Sequence, residues 1–169
     1  AVALSRIADG GNVFEVKAGY AKEMVTAFIR VDGVTVGAVA NRTEVYDEDG
    51  NVAEKFDAVL TPAGCYKAAD FVNFCDAFSI PVLSLTNVKG FKADKCAEKK
   101  IAHAAAKLTY AFANATVPKV NVIIGQAYGS AYVAMNSKAI GADITIAWPD
   151  AEIGTMDAKL AAKIMCDGK

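Results

Sequence analysis

Few residues in this chain have the type and spacing to do chemistry, and one stretch gathers most of them. Residues 117–137 read Val-Pro-Lys-Val-Asn-Val-Ile-Ile-Gly-Gln-Ala-Tyr-Gly-Ser-Ala-Tyr-Val-Ala-Met-Asn-Ser. Ser130 follows Gly129, but Ala127-Tyr128-Gly129-Ser130-Ala131 has no second glycine, so it is not a Gly-x-Ser-x-Gly nucleophile elbow. The single histidine, His103, falls in a different helical segment and offers Ser130 no obvious base. Gly125 and Gly129 have the wrong spacing for a dinucleotide fingerprint, and no Walker-type phosphate loop occurs. No carboxylates are paired for acid–base work. Backbone chemistry remains. A strand that breaks at glycines and opens a helix aims the N–H groups of residues 130 and 131 at one spot, where they can meet an anion or a developing oxyanion. The same pattern also makes a plain glycine turn.

The elements that would position this stretch follow from periodicity. Val120, Val122, Ile123 and Ile124 suit a buried strand. Gly125 and Gly129 punctuate its exit, and Ala131, Val133, Ala134 and Met135 suit a helix closed by Gly141 as C-cap. Upstream, residues 1–9 form a helical patch ended by Asp9-Gly10-Gly11, and Asn12–Val16 reads as a strand. Met24–Val31 and Val34–Ala40 alternate on either side of Asp32-Gly33, a strong hairpin signal. Residues 46–51 form an acidic turn without the spacing of a calcium loop. Ala68, Phe71, Val72, Cys75 and Phe78 share one face of a helix over about 65–78. Residues 81–86 read as a buried strand and 92–100 as a basic, solvated approach to a helix. Ile101, Ala104, Ala105, Leu108, Ala111, Phe112 and Ala115 give that helix a small-residue face, with His103 and Lys107 turned to solvent. Ile144, Ile146 and Trp148 alternate as a strand, and Asp157–Met165 is a final helix. Strands alternating with helices imply an α/β fold with a mainly parallel sheet.

Composition narrows the function classes. The 169 residues are 54% hydrophobic, enough for one domain with a real core. A net charge of -1 gives no basic face for nucleic acid. No apolar run approaches the roughly 18–20 residues of a membrane span, and no signal peptide opens the chain. Cys65, Cys75, Cys96 and Cys166 are widely spaced, which argues against a metal site and fits reduced thiols in a cytoplasmic compartment. The chain starts at Ala1 and stops at Lys169 straight after a helical pattern, so it reads as a piece of a longer polypeptide.

The words along residues 9–165 resemble the carboxyl-terminal half of the biotin-dependent carboxyltransferases. These are the β subunits of propionyl-CoA and related carboxylases, and the biotin-dependent decarboxylases for glutaconyl-CoA and methylmalonyl-CoA. The resemblance rests on Asp9-Gly10-Gly11 with Phe14-Glu15-Val16, on residues 68–81 (Ala-Ala-Asp-Phe-Val-Asn-Phe-Cys-Asp-Ala-Phe-Ser-Ile-Pro), and on Gly90-Phe91. It continues through residues 106–120, Ala127-Tyr128-Gly129, Ala131-Tyr132, Ala147-Trp148-Pro149 and Ala151-Glu152-Ile153, in order along nearly the whole chain.

The resemblance implies a crotonase-like (ClpP/crotonase) spiral of β-β-α units, with residues 1–169 forming one carboxyl-terminal carboxyltransferase domain. It implies biotin carried on a biotin carboxyl carrier protein, an acyl-CoA substrate, an amino-terminal carboxyltransferase domain completing the site, and a homo-oligomer. The backbone amides of Ser130 and Ala131 match the oxyanion hole, each donor typically worth ~3–4 kcal/mol. Gly90, Phe91, Gly129, Tyr132 and Val133 match the surrounding biotin and substrate positions. The chain departs from the family where Ser130 replaces a glycine, Val133 replaces a frequent aspartate, Lys89 replaces a proline, and Lys95–Lys100 replace a glycine-rich segment. Two rival expectations stand beside this one. One is an assembly or carrier-docking module, motivated by the small-residue helix. The other is an enoyl-CoA hydratase-like enzyme, which needs acidic residues that 130–137 do not supply.

Overall fold

The computed structural model describes residues 2–47 and 49–166. A seven-stranded sheet organises them, in the order β1 (Val13–Glu15), β2 (Met24–Val31), β3 (Val34–Asn41), β7 (Val82–Val88), β9 (Lys119–Tyr128) and β10 (Ile144–Ala147), with β11 (Glu152–Gly154) also pairing with β9. β2 runs antiparallel to both β1 and β3, and every other pairing in this sheet is parallel. β4 (Glu44–Tyr46) and β5 (Val52–Lys55) form the hairpin around the acidic turn, of which Glu48 lies outside the described residues. β6 (Val59–Leu60) pairs in parallel with β8 (Gly90–Phe91).

Local chemistry sets these boundaries. Asp32 and Gly33 turn the β2–β3 hairpin with φ of 50° and 77°, the left-handed pair that a tight hairpin needs. Both turn amides donate to the Asp9 carboxylate, at 3.1 and 2.8 Å, which ties the hairpin to the short 3-10 turn Asp9–Gly11. Helix α2 (Pro62–Ala77) begins at Pro62, three residues earlier than periodicity indicates, because Thr61 Oγ1 caps it by accepting from Gly64 N at 2.9 Å. Helix α3 (Lys95–Asn114) likewise starts inside the basic approach, where the Asp94 carboxylate accepts from Cys96 N and Ala97 N at 2.9 and 2.7 Å. A capping side chain is a stronger start signal than the first apolar residue.

The core lies on both faces of the sheet. On one face α2, α3 and α4 (Gly129–Ala134) cover Met24, Val39, Val82 and Val88, with Phe71, Val72, Leu108 and Phe112 packed between the layers. On the other, α1 (Val2–Ile7) covers Val25, Ala27, Ala38 and Leu85 through Leu4. Beyond α1 that second face is open, and Ile144, Ile146 and Trp148 of the β10 region stay exposed. Helix α5 (Ala158–Cys166) also leaves Leu160, Ile164 and Met165 exposed.

Asp76, near the end of α2, shows how the layers are tied. One carboxylate oxygen accepts from Thr116 N (2.6 Å), Thr116 Oγ1 (3.0 Å) and Val117 N (3.2 Å), where the chain leaves α3 for β9. The amide of Thr116 is the largest influence holding this carboxyl below its ordinary value of 3.8. A depressed acid stabilises the fold above its ordinary pKa and loses that contribution as pH falls through the folded value. Asp76→Asn is therefore expected to lower the unfolding midpoint at neutral pH, with the gap to the parent closing below about pH 3.8. A gap constant from pH 7 to 2.5 would contradict this.

Candidate functional site

The ten residues of β9 carry the sheet to the site, and their last third departs from the simple reading of the glycines. Gly125 does not end the strand. The β7–β9 pairing shifts register between Thr86 and Val88, and this bulge turns Asn87 toward β9. Asn87 Oδ1 accepts from Gln126 N at 3.0 Å, and a Cβ on residue 125 would lie 2.7 Å from that oxygen. Gly125 thus makes room for Asn87 inside a continuous strand.

The break comes at Gly129. Its φ is +56°, and a Cβ there would sit 3.1 Å from the carbonyl oxygen of Thr155. Immediately before it, Tyr128 is paired with Gly154 of β11, and its hydroxyl donates to the Glu152 carboxylate. That bond, followed by burial, raises the phenol above its ordinary pKa. Tyr128 is the N-cap residue of α4, and its side chain gives the helix no capping bond. The first amides of an α-helix have no partner within the helix. Ser130 N–H and Ala131 N–H therefore stand at an uncapped start, with the left-handed step taken by Gly129 and not by Ser130. An L-residue at 130 costs this backbone nothing.

Around these donors the fold gathers the other expected positions. β8 packs beside α4, so Gly90 and Phe91 come next to residues 129–134. Phe91 and Tyr132 are partly buried against the core that holds Ala131 and Ala134. Burial raises the Tyr132 phenol. Ser130 and Val133 face solvent. The helix is shorter than its apolar pattern, because Asn136 takes φ 54° just after Met135. Gly141, at φ 106°, caps the later 3-10 turn Lys138–Ile140 and not α4.

The remaining candidates lie apart. His103 is exposed on α3 and shares a 2.8 Å hydrogen bond with Tyr66, whose ring also sits 5.5 Å from Lys107 Nζ. The thiols of Cys65 and Cys75 are buried, and burial pushes both up to about 12. A 750 Å³ recess opens beyond β6 and β8, lined among others by Tyr20, Phe56, Tyr66, Lys92 and Lys100, and includes none of residues 129–133. Among the described residues no helix is long and apolar enough to cross a membrane.

The mainly parallel sheet, with α2, α3 and α4 packed on one face, is a crotonase-like α/β fold. Residues 2–169 match the carboxyl transferase domain, and the chain belongs to that family. It is 44% identical over 163 residues to the methylmalonyl-CoA carboxyltransferase 12S subunit of Propionibacterium freudenreichii subsp. shermanii, covering 96% of this chain and 29% of that one. It is 40% identical over 169 residues to the methylmalonyl-CoA decarboxylase subunit alpha of Propionigenium modestum, covering 96% and 30%. The crystal structure of transcarboxylase 12S, a hexamer assembly with hydrolysed methylmalonyl-coenzyme A bound, superposes with a TM-score of 0.87 at 44% identity over 97% of this chain and 30% of that one. The P. aeruginosa geranyl-CoA carboxylase beta subunit gives 0.81 at 28% identity, over 94% of this chain and 28% of that one. The chain thus spans less than a third of the length of these relatives.

Proposed function

We propose that this chain is the biotin-facing half of a carboxyltransferase active site, moving CO2 between biotin and an acyl-CoA. The single observation that carries the reading is the uncapped start of α4, where Gly129 makes the turn and Ser130 and Ala131 keep their amides free of side-chain caps. Biotin, when bound, would supply the carrier of the carboxyl group, and its ureido oxygen would be the acceptor facing Ser130 and Ala131. The chain's part is to donate the N–H groups of Ser130 and Ala131 to this oxygen. Preorganised amides do this without reorganising as the charge appears, and each is worth ~3–4 kcal/mol. The donor set fits, since it consists of adjacent backbone N–H groups on a right-handed turn that serine adopts as readily as glycine. Gly90, Phe91, Tyr132 and Val133 form the wall beside it.

The relatives support the chemistry: by name one transfers and another removes the carboxyl group of a methylmalonyl-CoA. An amino-terminal carboxyltransferase domain would supply the acyl-CoA side, and a biotin carboxyl carrier protein would bring the biotin. The exposed apolar residues of β10 and α5 suit coverage by further protein and so a homo-oligomer, in a reducing, cytoplasmic compartment compatible with the unpaired cysteines. The test is activity by halves. The isolated chain, given malonyl-CoA and free biotin, should show no decarboxylation above background, and adding the amino-terminal domain should restore it. Robust decarboxylation by the chain alone would sink the half-site claim.

A further inference from the structure

A polar row runs through the core beneath α4, and the proposed chemistry makes no use of it. Ser84 of β7, Asn121 of β9 and Thr145 of β10 are direct cross-strand partners. Residues in register on parallel strands point to one face, here the face that carries α4. Asn136 reaches this row from the end of α4. It is fully buried, and its φ of 54° is the step that turns it inward. Its Nδ2 donates to Ser84 Oγ at 2.9 Å and to Val120 O at 3.3 Å. Asn121 Oδ1 accepts from Ser84 Oγ and Thr86 Oγ1, at 3.1 and 2.8 Å, and Thr86 Oγ1 also lies 3.4 Å from the carbonyl of Met135. The bonds of Asn136 and the Thr86–Met135 contact tie the C-terminal end of α4 to β7 and β9, and the two bonds to Asn121 Oδ1 tie those strands to each other.

Three atoms of the same cluster are buried and have no partner among the described residues: Asn121 Nδ2, Asn136 Oδ1 and Thr145 Oγ1. They are a donor, an acceptor and a hydroxyl that can do either. Buried polar groups are rarely left unpaired, and three such partners are the usual coordination of one internal water. A single water accepting from Asn121 Nδ2, donating to Asn136 Oδ1 and bonding Thr145 Oγ1 would satisfy all three.

We infer that Asn121, Asn136 and Thr145 hold one buried water, and that this lock makes Asn136 the residue that positions the Ser130 and Ala131 amides. The inference rests on the reading that those amides act in carboxyl transfer. Helix α4 has only six residues, about 9 Å of axis, so a tilt allowed at Asn136 is felt at the first turn. Asn136 is a positioning residue and touches no reacting atom.

Asn136→Ala and the milder Thr145→Val, each in the complete enzyme, test this by two readouts. Hydrogen exchange at Val133, Ala134 and Met135, the amides bonded back into α4, is expected to quicken about tenfold in Asn136→Ala and less in Thr145→Val. In the same variants kcat is expected to fall, by about tenfold to a hundredfold for Asn136→Ala, while KM for the acyl-CoA stays within about twofold. Thr145→Val keeps the shape of the side chain and decides the matter if Asn136→Ala does not fold. Unchanged exchange at residues 133–135 overturns the lock. Faster exchange with unchanged kcat overturns the positioning role. A parent enzyme that lacks biotin-dependent transfer overturns the functional reading instead, and leaves the exchange result intact.

Discussion

Gly129→Val, placed in the complete enzyme, is expected to lower the proposed carboxyl transfer by about two to three orders of magnitude while the sheet still forms. Two independent constraints meet at this residue. Its φ of +56° lies in the left-handed region, where a β-branched side chain is a genuine outlier. A Cβ would also press to 3.1 Å of the Thr155 carbonyl oxygen, on the loop that follows β11. The chain escapes both by rotating the peptide into Ser130, and that peptide carries one of the two proposed donors. The stability cost of a left-handed L-residue is about 1–2 kcal/mol, too little to unfold a domain of this size. Turnover and thermal unfolding of the same variant separate the effects. Gly129→Ala, with the smaller side chain, should fall between the parent and the valine variant. A valine variant that turns over like the parent would remove the amides from the mechanism.

The second large effect belongs to Lys67, and it is one of stability. This lysine is 1% exposed on α2, yet among the described residues its ammonium hydrogen-bonds only to backbone oxygens: Tyr20 O at 2.8 Å, Met24 O at 2.7 Å and Ala21 O at 3.4 Å. It nails the 17–24 turn against the helix. Lys67→Met fills similar volume but leaves those acceptors without a donor, at an expected cost on the order of 3 kcal/mol. Urea unfolding should show a lower midpoint with an unchanged m-value. A pH signature accompanies it. Burial lowers the ammonium below its ordinary 10.5, so between the folded value and 10.5 the unfolded chain binds more protons. The parent therefore gains stability as pH rises through that window, and the methionine variant lacks this rise. A variant as stable as the parent would mean that water reaches the three carbonyls.

Neither effect was equally open to a reader of the sequence. The β2–β3 hairpin was legible because Asp32-Gly33 states its turn chemistry locally, and α2 and α3 because each buries one periodic face. Gly129 was legible as a break, since few residues other than glycine take its backbone angles. Gly125 looked the same and was not a break. Its glycine is required by Asn87, 38 residues away in sequence, through a register shift that no local pattern encodes. Lys67 sits beside Ala68 on a helix read for its apolar face, and a charged residue that finds its partners in a distant turn carries no local mark. The length of α4 was overread for a similar reason. Val133, Ala134 and Met135 continue a helical pattern, but Asn136 leaves the helix to meet Ser84 across the core. The donors themselves are backbone atoms. A sequence names the residues that carry them and says nothing of where they point, so the proposed site rests on the resemblance of the words around it together with the geometry of β9 and α4.

The central claim concerns two amide nitrogens, and a titration reads them directly. The 15N-labelled chain is titrated with biotin and followed by its amide resonances. The account predicts that Ser130 and Ala131 shift furthest, with smaller changes at Gly90, Phe91, Gly129 and Tyr132, and that Gly129→Val abolishes the response. Shifts confined to the 750 Å³ recess around Tyr20, Phe56 and Lys100, or to the exposed face of α5, with residues 129–132 silent, would contradict it.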